Sequence, residues 1–236
     1  MIKILASDGM EKAAVALLRE KGYEVEEQFY APEELGAKLA EVDVLVVRSA
    51  TKVRKPIIDE AKKAGKLQLV IRGGVGVDNI DVADAEAMGI AVRNTPNASS
   101  NAVAECAIAL MFSCARFVSH AGHTMREGKW EKKAYGKGIE LQGKTLGLIG
   151  FGRIAQELAK RAHALGMQVV YTCRSGEKPG FAQYRYLPLE DLLQVSDYVS
   201  LHIPMPADGK PVIGAAELAM MKPTAFLINT ARGGVV

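Results

Sequence analysis

"GLIGFGRIAQELAKRAHALGMQVVYTCRS", residues 147–175, is the stretch from which the rest of the chain can be read. Gly150, Gly152 and Ala155 stand in a G-x-G-x-x-A spacing. The apolar run "TLGLI" precedes them directly, and the amphipathic stretch "RIAQELAKRAHALG" follows. Glycines cluster in many turns, so the spacing alone says little; a strand before it and a helix after it make it specific. Gly150 permits the tight turn. Gly152 lets the backbone approach a pyrophosphate at the helix N-terminus, where free N–H groups and the helix dipole favour negative charge. Ala155 keeps helix and strand close, and Arg153 and Ile154 belong to the same phosphate loop.

About 20 residues further on, such a unit often carries a carboxylate for the ribose hydroxyls of the adenosine half. Here the strand "QVVYTC" runs instead into Cys173-Arg174-Ser175. A thiol neither accepts those hydroxyls well nor repels a 2′-phosphate. The guanidinium fork of Arg174 and the hydroxyl of Ser175 match phosphate oxygens. The expected cofactor is therefore NADP(H), with NAD(H) as the alternative if Arg174 only covers the adenine.

Outward from this unit, short β-branched runs alternate with helical stretches, the pattern of parallel sheets with crossover helices. Strands are read at "IKILA", "DVLVVRS", "LQLVIRG" and "IAVRN". Helices are read at "EKAAVALLREKG", "PIIDEAKKAG" and "VADAEAMG", and the last two stop at a glycine. Pro96 and the Asn and Ser residues of "NTPNASSNAVAE" mark a boundary and offer helix caps. After "KTLGLIG" come "QVVYTC", the helix "LEDLLQ", the strand "DYVSLHIP", the helix "AAELAMM" and the strand "AFLINTARGG". The expected fold class is α/β, with two doubly wound parallel-sheet domains at 1–95 and 96–236. The first is flavodoxin-like, and the second is an incomplete Rossmann domain. A helix from about Asn101 to His120, apolar almost all round, is expected to be buried on two sides, as a wedge between domains or a subunit interface.

The bulk numbers exclude several function classes. Of the 236 residues, 49% are hydrophobic and 24% charged, enough for a core and a soluble surface. Thirty basic against 27 acidic residues leave a formal charge of +3, with no basic block to attract nucleic acid or an anionic membrane. The start "MIKILASDGMEK" has no long apolar run of a leader, and "AVAECAIALMFSCARFV" is broken by Glu105 and Arg116. Three cysteines without a CxxC suit a reduced, cytoplasmic setting, and no metal site is expected.

With "GKTLGLIGFGRIA", "RGGVGVDNID", "NTPN" and "NTARGG" in this order, the chain resembles the D-isomer-specific 2-hydroxyacid dehydrogenases from about Asp43 to its last residue. "VVRSATKV" and "EGKWEKKAYGKGIELQGKTLG" are most similar to the D-3-phosphoglycerate dehydrogenase branch, which carries an implication of serine biosynthesis. "YTCRS" is closer to NADPH-using glyoxylate and hydroxypyruvate reductases, so the substrate branch stays open. The resemblance implies hydride transfer between the nicotinamide and C2 of a small anionic 2-hydroxy or 2-keto acid.

Physical reading independently places ligands beyond the carboxyl ends of parallel strands. Arg48 and Ser49 end one strand there. The loop Gly73-Gly74-Val75-Gly76 ends the next and offers backbone N–H groups as an anion nest. By resemblance, the amides of Val75 and Gly76 hold the substrate carboxylate, and Arg48 takes a distal anionic group. Asp78 is read as shaping this loop, and Asn97 as lining the cleft or capping the next helix. Arg232 is the catalytic candidate: the resemblance implies that it pairs with the carboxylate and polarises the carbonyl, orientation and charge stabilisation in one group. His202 and Pro204 of "LHIP", with Thr230 and Ala231, are implied to line the cofactor. A homodimer through the 101–120 helix region completes the expected partners.

The proton donor that the resemblance implies is a histidine preceded by a glutamate, both downstream of Arg232. The sequence runs four residues past Arg232, and none of His120, His123, His163 or His202 fits that role. The chain therefore reads as a truncated member. A second function class stays open: a nucleotide-binding interaction module without turnover, as in the co-repressors that share this fold.

Overall fold

The computed structural model describes residues 1–206 and 208–236. The chain divides into two compact units, Met1–Ser99 and Ser100–Val236. In the first, strands and helices alternate as β1 (Lys3–Ala6), α1 (Lys12–Glu20), β2 (Glu24–Glu26), α2 (Pro32–Leu39), β3 (Val44–Val47), α3 (Lys55–Ala64), β4 (Leu69–Arg72), α4 (Val82–Ala87) and β5 (Ala91–Asn94). All five strands are parallel, in the order β2-β1-β3-β4-β5. This is the flavodoxin-like order, whose direction reverses between β1 and β3.

Period-two alternation sends the strand side chains to two cores. Leu5, Leu45, Val47, Val70 and Val92 pack with Leu35 and Leu39 of α2 and Ile57, Ile58 and Ala61 of α3. Ile4, Ala6 and Val46 face the other way, onto Val15 and Leu18 of α1. A parallel strand buried on both faces must be apolar nearly throughout, which is why "ILA" and "VLVV" read as unbroken runs. Two elements were not expected. β2 is a three-residue edge strand with only Val25 buried, and α2 starts on Pro32 at its N-terminus.

The second unit opens with α5 (Ser100–Arg116) and α6 (Val118–Arg126). Then follow β6 (Thr145–Ile149), α7 (Arg153–Ala164), β7 (Gln168–Thr172), β8 (Arg185–Tyr186), α8 (Leu189–Val195), β9 (Tyr198–Leu201), α9 (Ala215–Met220) and β10 (Phe226–Asn229). Its parallel sheet runs β10-β9-β6-β7-β8, the Rossmann order over these strands, with the reversal between β6 and β9. Leu146, Leu148, Tyr171 and Tyr198 pack on α5 and α7, and Val170, Val199 and Leu201 on α8. Gly147 has a packing role: a Cβ there would lie 2.6 Å from Leu192 and 2.2 Å from the Ser196 hydroxyl.

The single helix expected over 101–120 is two helices. Phe117 adopts left-handed backbone (φ 56°) and bends the axis by 69°. One stripe of α5, Ser100, Ala104, Ala107, Met111 and Ala115, is buried, while Leu110 and Phe112 are exposed. No side-chain cap bond forms at Asn97, Ser99 or Ser100 among the described residues. No single described helix is long and apolar enough to cross a membrane.

Leu45 is fully buried in the middle of the first sheet. Leu45→Ala is expected to destabilise the chain by roughly 2–5 kcal/mol in urea unfolding followed by circular dichroism.

Candidate functional site

In the second unit, four strand ends lie side by side along the carboxyl edge of the sheet. In spatial order β10 presents Thr230, Ala231 and Arg232, and β9 presents His202 and Pro204. Next, β6 presents Gly150 and Gly152, and β7 presents Cys173, Arg174 and Ser175. With strands about 4.8 Å apart, this row spans roughly 14 Å.

Two glycines of the phosphate loop are required for different reasons. Gly150 has φ 88°, and a Cβ on it would lie 2.5 Å from the carbonyl oxygen of His202. Its N–H donates to Thr172 (2.9 Å), and the His202 N–H donates to Ile149 (2.8 Å), so the turn is clamped between the ends of β7 and β9. Gly152 caps α7 with ordinary backbone angles, and a Cβ there would meet no protein atom within 4 Å. The space above it is open at a helix N-terminus, which fits a pyrophosphate. Arg153 is exposed and Ile154 half-buried on the first turn of α7. Phe151, not read as important in the sequence, is buried and stacks on Tyr171 at 3.9 Å, with Phe181 edge-on at 5.1 Å. Its place between two glycines anchors the loop to the core.

After β7, Cys173 to Gly176 form a turn closed by the Gly176 N–H on the Cys173 carbonyl (3.0 Å). The Cys173 thiol is occupied locally, donating to the Gly176 carbonyl (3.2 Å) beside Ser175 Oγ (3.3 Å). Arg174 and Ser175 are exposed at the tip, and the Arg174 guanidinium has no partner among the described residues.

His202 turns its Nε2 to Ser200 Oγ (2.9 Å), and burial pushes its pKa down to about 4. At pH 7 the ring is therefore the neutral imidazole, with one nitrogen protonated, and not an imidazolium. Pro204 is exposed beside it. After β10, Asn229 shapes the loop through its side chain. Its Oδ1 accepts the Ala231 N–H (3.0 Å), and its Nδ2 donates to the Arg232 carbonyl (2.8 Å). Arg232 is half-buried, with one guanidinium N–H on the Ala231 carbonyl (2.8 Å). Thr230 Oγ1 is buried without a partner among the described residues, a polar atom left for a ligand.

In the first unit, Arg48 and Ser49 are exposed past the end of β3, and Gly73–Gly76 follows β4. The glycine loop is pinned by its carbonyls: Gly74 accepts from Thr95 N–H (3.1 Å) and Val75 from Asn94 Nδ2 (2.6 Å). The N–H groups of Val75 and Gly76 have no acceptor among the described residues. That leaves two consecutive backbone donors that an anion could accept. Gly74 adopts a backbone conformation (φ 154°) that strains any side chain, and the Arg72 guanidinium occupies the place its Cβ would take. Arg72 thus brings a cation under the loop, with its Nε buried and unpartnered among the described residues. It reads in the sequence as an ordinary strand residue. Asn97 is exposed in the turn after β5.

Residues 108–236 match the family model described as D-isomer specific 2-hydroxyacid dehydrogenase, NAD binding domain. The hydroxypyruvate reductase of Thermotoga maritima is 45% identical over 99% of this chain and 75% of its own length. The chain belongs to the D-isomer specific 2-hydroxyacid dehydrogenase family. The D-3-phosphoglycerate dehydrogenase of Methanocaldococcus jannaschii is 40% identical over the whole chain, which spans 45% of that protein. Among solved structures, an acyclic imino acid reductase in complex with NADPH and D-Arg is similar along the whole chain, at 32% identity and a TM-score of 0.87, over 76% of its own length. Members of this family are nicotinamide-dependent oxidoreductases, and the phosphate loop of this chain lies within the matched NAD-binding domain.

The two glycines separate folding from ligand space. Gly150→Ala is expected to lower stability by roughly 2–5 kcal/mol, from positive φ and the clash with His202. Gly152→Ala is expected to stay within about 0.5 kcal/mol of the parent, with both variants compared in thermal melts.

Proposed function

We propose that this chain binds NADP(H) at the carboxyl edge of its second sheet and a 2-hydroxy or 2-keto acid at the strand ends of its first. The observation that carries the cofactor is the exposed Arg174-Ser175 pair after β7, in a Cys173–Gly176 turn that itself carries no carboxylate, the first being the exposed Glu177 beyond Gly176. The similar imino acid reductase solved with NADPH supports the same choice. Gly150, Gly152, Arg153 and Ile154 cradle the pyrophosphate, and His202, Pro204, Thr230 and Ala231 line the cofactor.

The substrate carboxylate is assigned to the Val75 and Gly76 amides in the Gly74 loop, with Arg48 and Ser49 for a distal anionic group. Arg232 orients the acid and polarises the carbonyl that receives hydride, a role suited to a planar cation. The names of the relatives, hydroxypyruvate reductase and D-3-phosphoglycerate dehydrogenase, both denote chemistry on small three-carbon acids. The exposed apolar side chains of α5 and α6, Leu110, Phe112, Val118 and Met125, support the proposed homodimer, and the reading keeps the protein cytoplasmic. Sedimentation equilibrium tests the homodimer, with a monomer at all concentrations refuting it.

Fluorescence titration with NADPH and NADH checks the cofactor. NADPH is expected to bind more tightly. Arg174→Ala is expected to cost NADPH roughly ten- to a hundredfold while leaving NADH nearly unchanged. Gly152→Ala is expected to weaken both at unchanged stability. NADH binding tenfold tighter than NADPH would refute the NADP(H) assignment.

A further inference from the structure

The backbone of Arg48–Thr51 is held from two sides by side chains distant in sequence. From the end of β1, the Asp8 carboxylate accepts the N–H of Arg48 (2.7 Å), the N–H of Thr51 (3.0 and 3.1 Å) and the Thr51 hydroxyl (2.5 Å). The Thr51 proton is thereby committed, so the buried Ser7 hydroxyl, 2.8 Å away, donates to Thr51 in turn. Burial opposes the charge on Asp8. The Thr51 hydroxyl and the amides of Thr51 and Arg48 outweigh it and hold the carboxyl below its ordinary range.

From the other side, Asn79 Nδ2 donates to the carbonyls of Arg48 (3.0 Å) and Thr51 (2.7 Å). Both partners are carbonyl oxygens, which can only accept, so the NH2 edge of the amide must face them. The two N–H groups of one residue and two carbonyls of a neighbouring loop are thus fully matched.

Asn79 lies three residues past Gly76, on the same excursion as the anion loop. Its own carbonyl accepts the Val53 N–H (2.8 Å), and the Asp81 N–H returns to the Val53 carbonyl (3.0 Å) around an isolated parallel bridge between Val53 and Ile80. An ion pair between Arg54 and Asp81 (2.8 Å) continues the seam. The loops after β3 and β4 are therefore stitched together beyond the last paired residues of their strands.

We propose that Asn79, with Asp8 as its counterpart, is a positioning residue that fixes the separation between Arg48 and the amides of Val75 and Gly76. The first unit then selects acids that carry a second anionic group at a set distance from the carboxylate. This rests on the proposed anion-binding role of these two loops. Neither residue touches the ligand. Asp8 takes the N–H edge of the Arg48 segment and Asn79 its carbonyl edge, so the segment cannot shift without breaking charge-assisted or paired bonds.

The test uses the 236-residue chain and two probes that differ only in the distal group, D-glycerate and D-3-phosphoglycerate. Amide NMR shifts report binding, followed at Val75 and Gly76. Asn79→Asp keeps the shape but turns an acceptor towards two carbonyls, and Asp8→Asn removes charge from the opposite side. Each variant is expected to weaken 3-phosphoglycerate about tenfold and glycerate less than twofold, with the glycerate-induced shifts at Val75 and Gly76 retained. Three results overturn the proposal. These are unchanged 3-phosphoglycerate affinity, equal loss of both probes, and unfolding of both variants in thermal melts, which would make the contacts merely structural. A parent chain that binds neither probe refutes the substrate assignment itself, and the positioning role falls with it. A parent that binds both while the variants behave like it refutes only the positioning role.

Discussion

The carbonyl oxygen of His202 sits where a side chain on Gly150 would have to be. That contact sets much of the second unit. It joins the turn after β6 to the end of β9, the neighbouring strands between which the order of the sheet reverses. The turn can make the approach only because residue 150 lacks a Cβ and accepts a positive φ. Packed between these strand ends, the turn releases α7 with its first N–H groups pointing outward and with Gly152 uncovered.

The first unit solves a similar problem with different means. Its glycine loop, with Val75 as its one side chain, is held by donors to its carbonyls. Thr95 and Asn94 bind the loop carbonyls and leave the Val75 and Gly76 amides unspent. Arg72 fills the space that Gly74 leaves. In the first unit the Val75 and Gly76 N–H groups lack acceptors among the described residues, and in the second the N-terminus of α7 opens at Gly152. A parallel sheet covered on both faces exposes functional backbone only past its strand ends.

Much of this was legible in the sequence, because it rests on local patterns. The glycine spacing, the apolar runs of β1, β3, β6 and β9, and the glycine stops after α3 and α4 each report the conformation of a few consecutive residues. The parts that were not legible lack such a signature. β2 has three residues and one buried side chain, so it shows no periodicity, and β8 has only two residues. The break at Phe117 depends on a left-handed residue in an otherwise helical composition. Arg72, Asn79 and Asn229 look like ordinary polar residues until their partners are in place. Asp8 meets Arg48 and Thr51 across 40 and 43 residues of chain.

By itself, the sequence determined the types of the longer elements, the α/β class, the phosphate loop and the family to which the chain belongs. It did so because glycine and side-chain periodicity restrict backbone angles residue by residue. The tertiary structure decided which strand ends stand beside one another. It also decided that Arg174, Gly152, His202 and Arg232 share one edge, and which side chains hold the loops in place. Those outcomes depend on strand pairing and on hydrogen bonds between residues tens of positions apart, where burial and partner geometry prevail over local propensity.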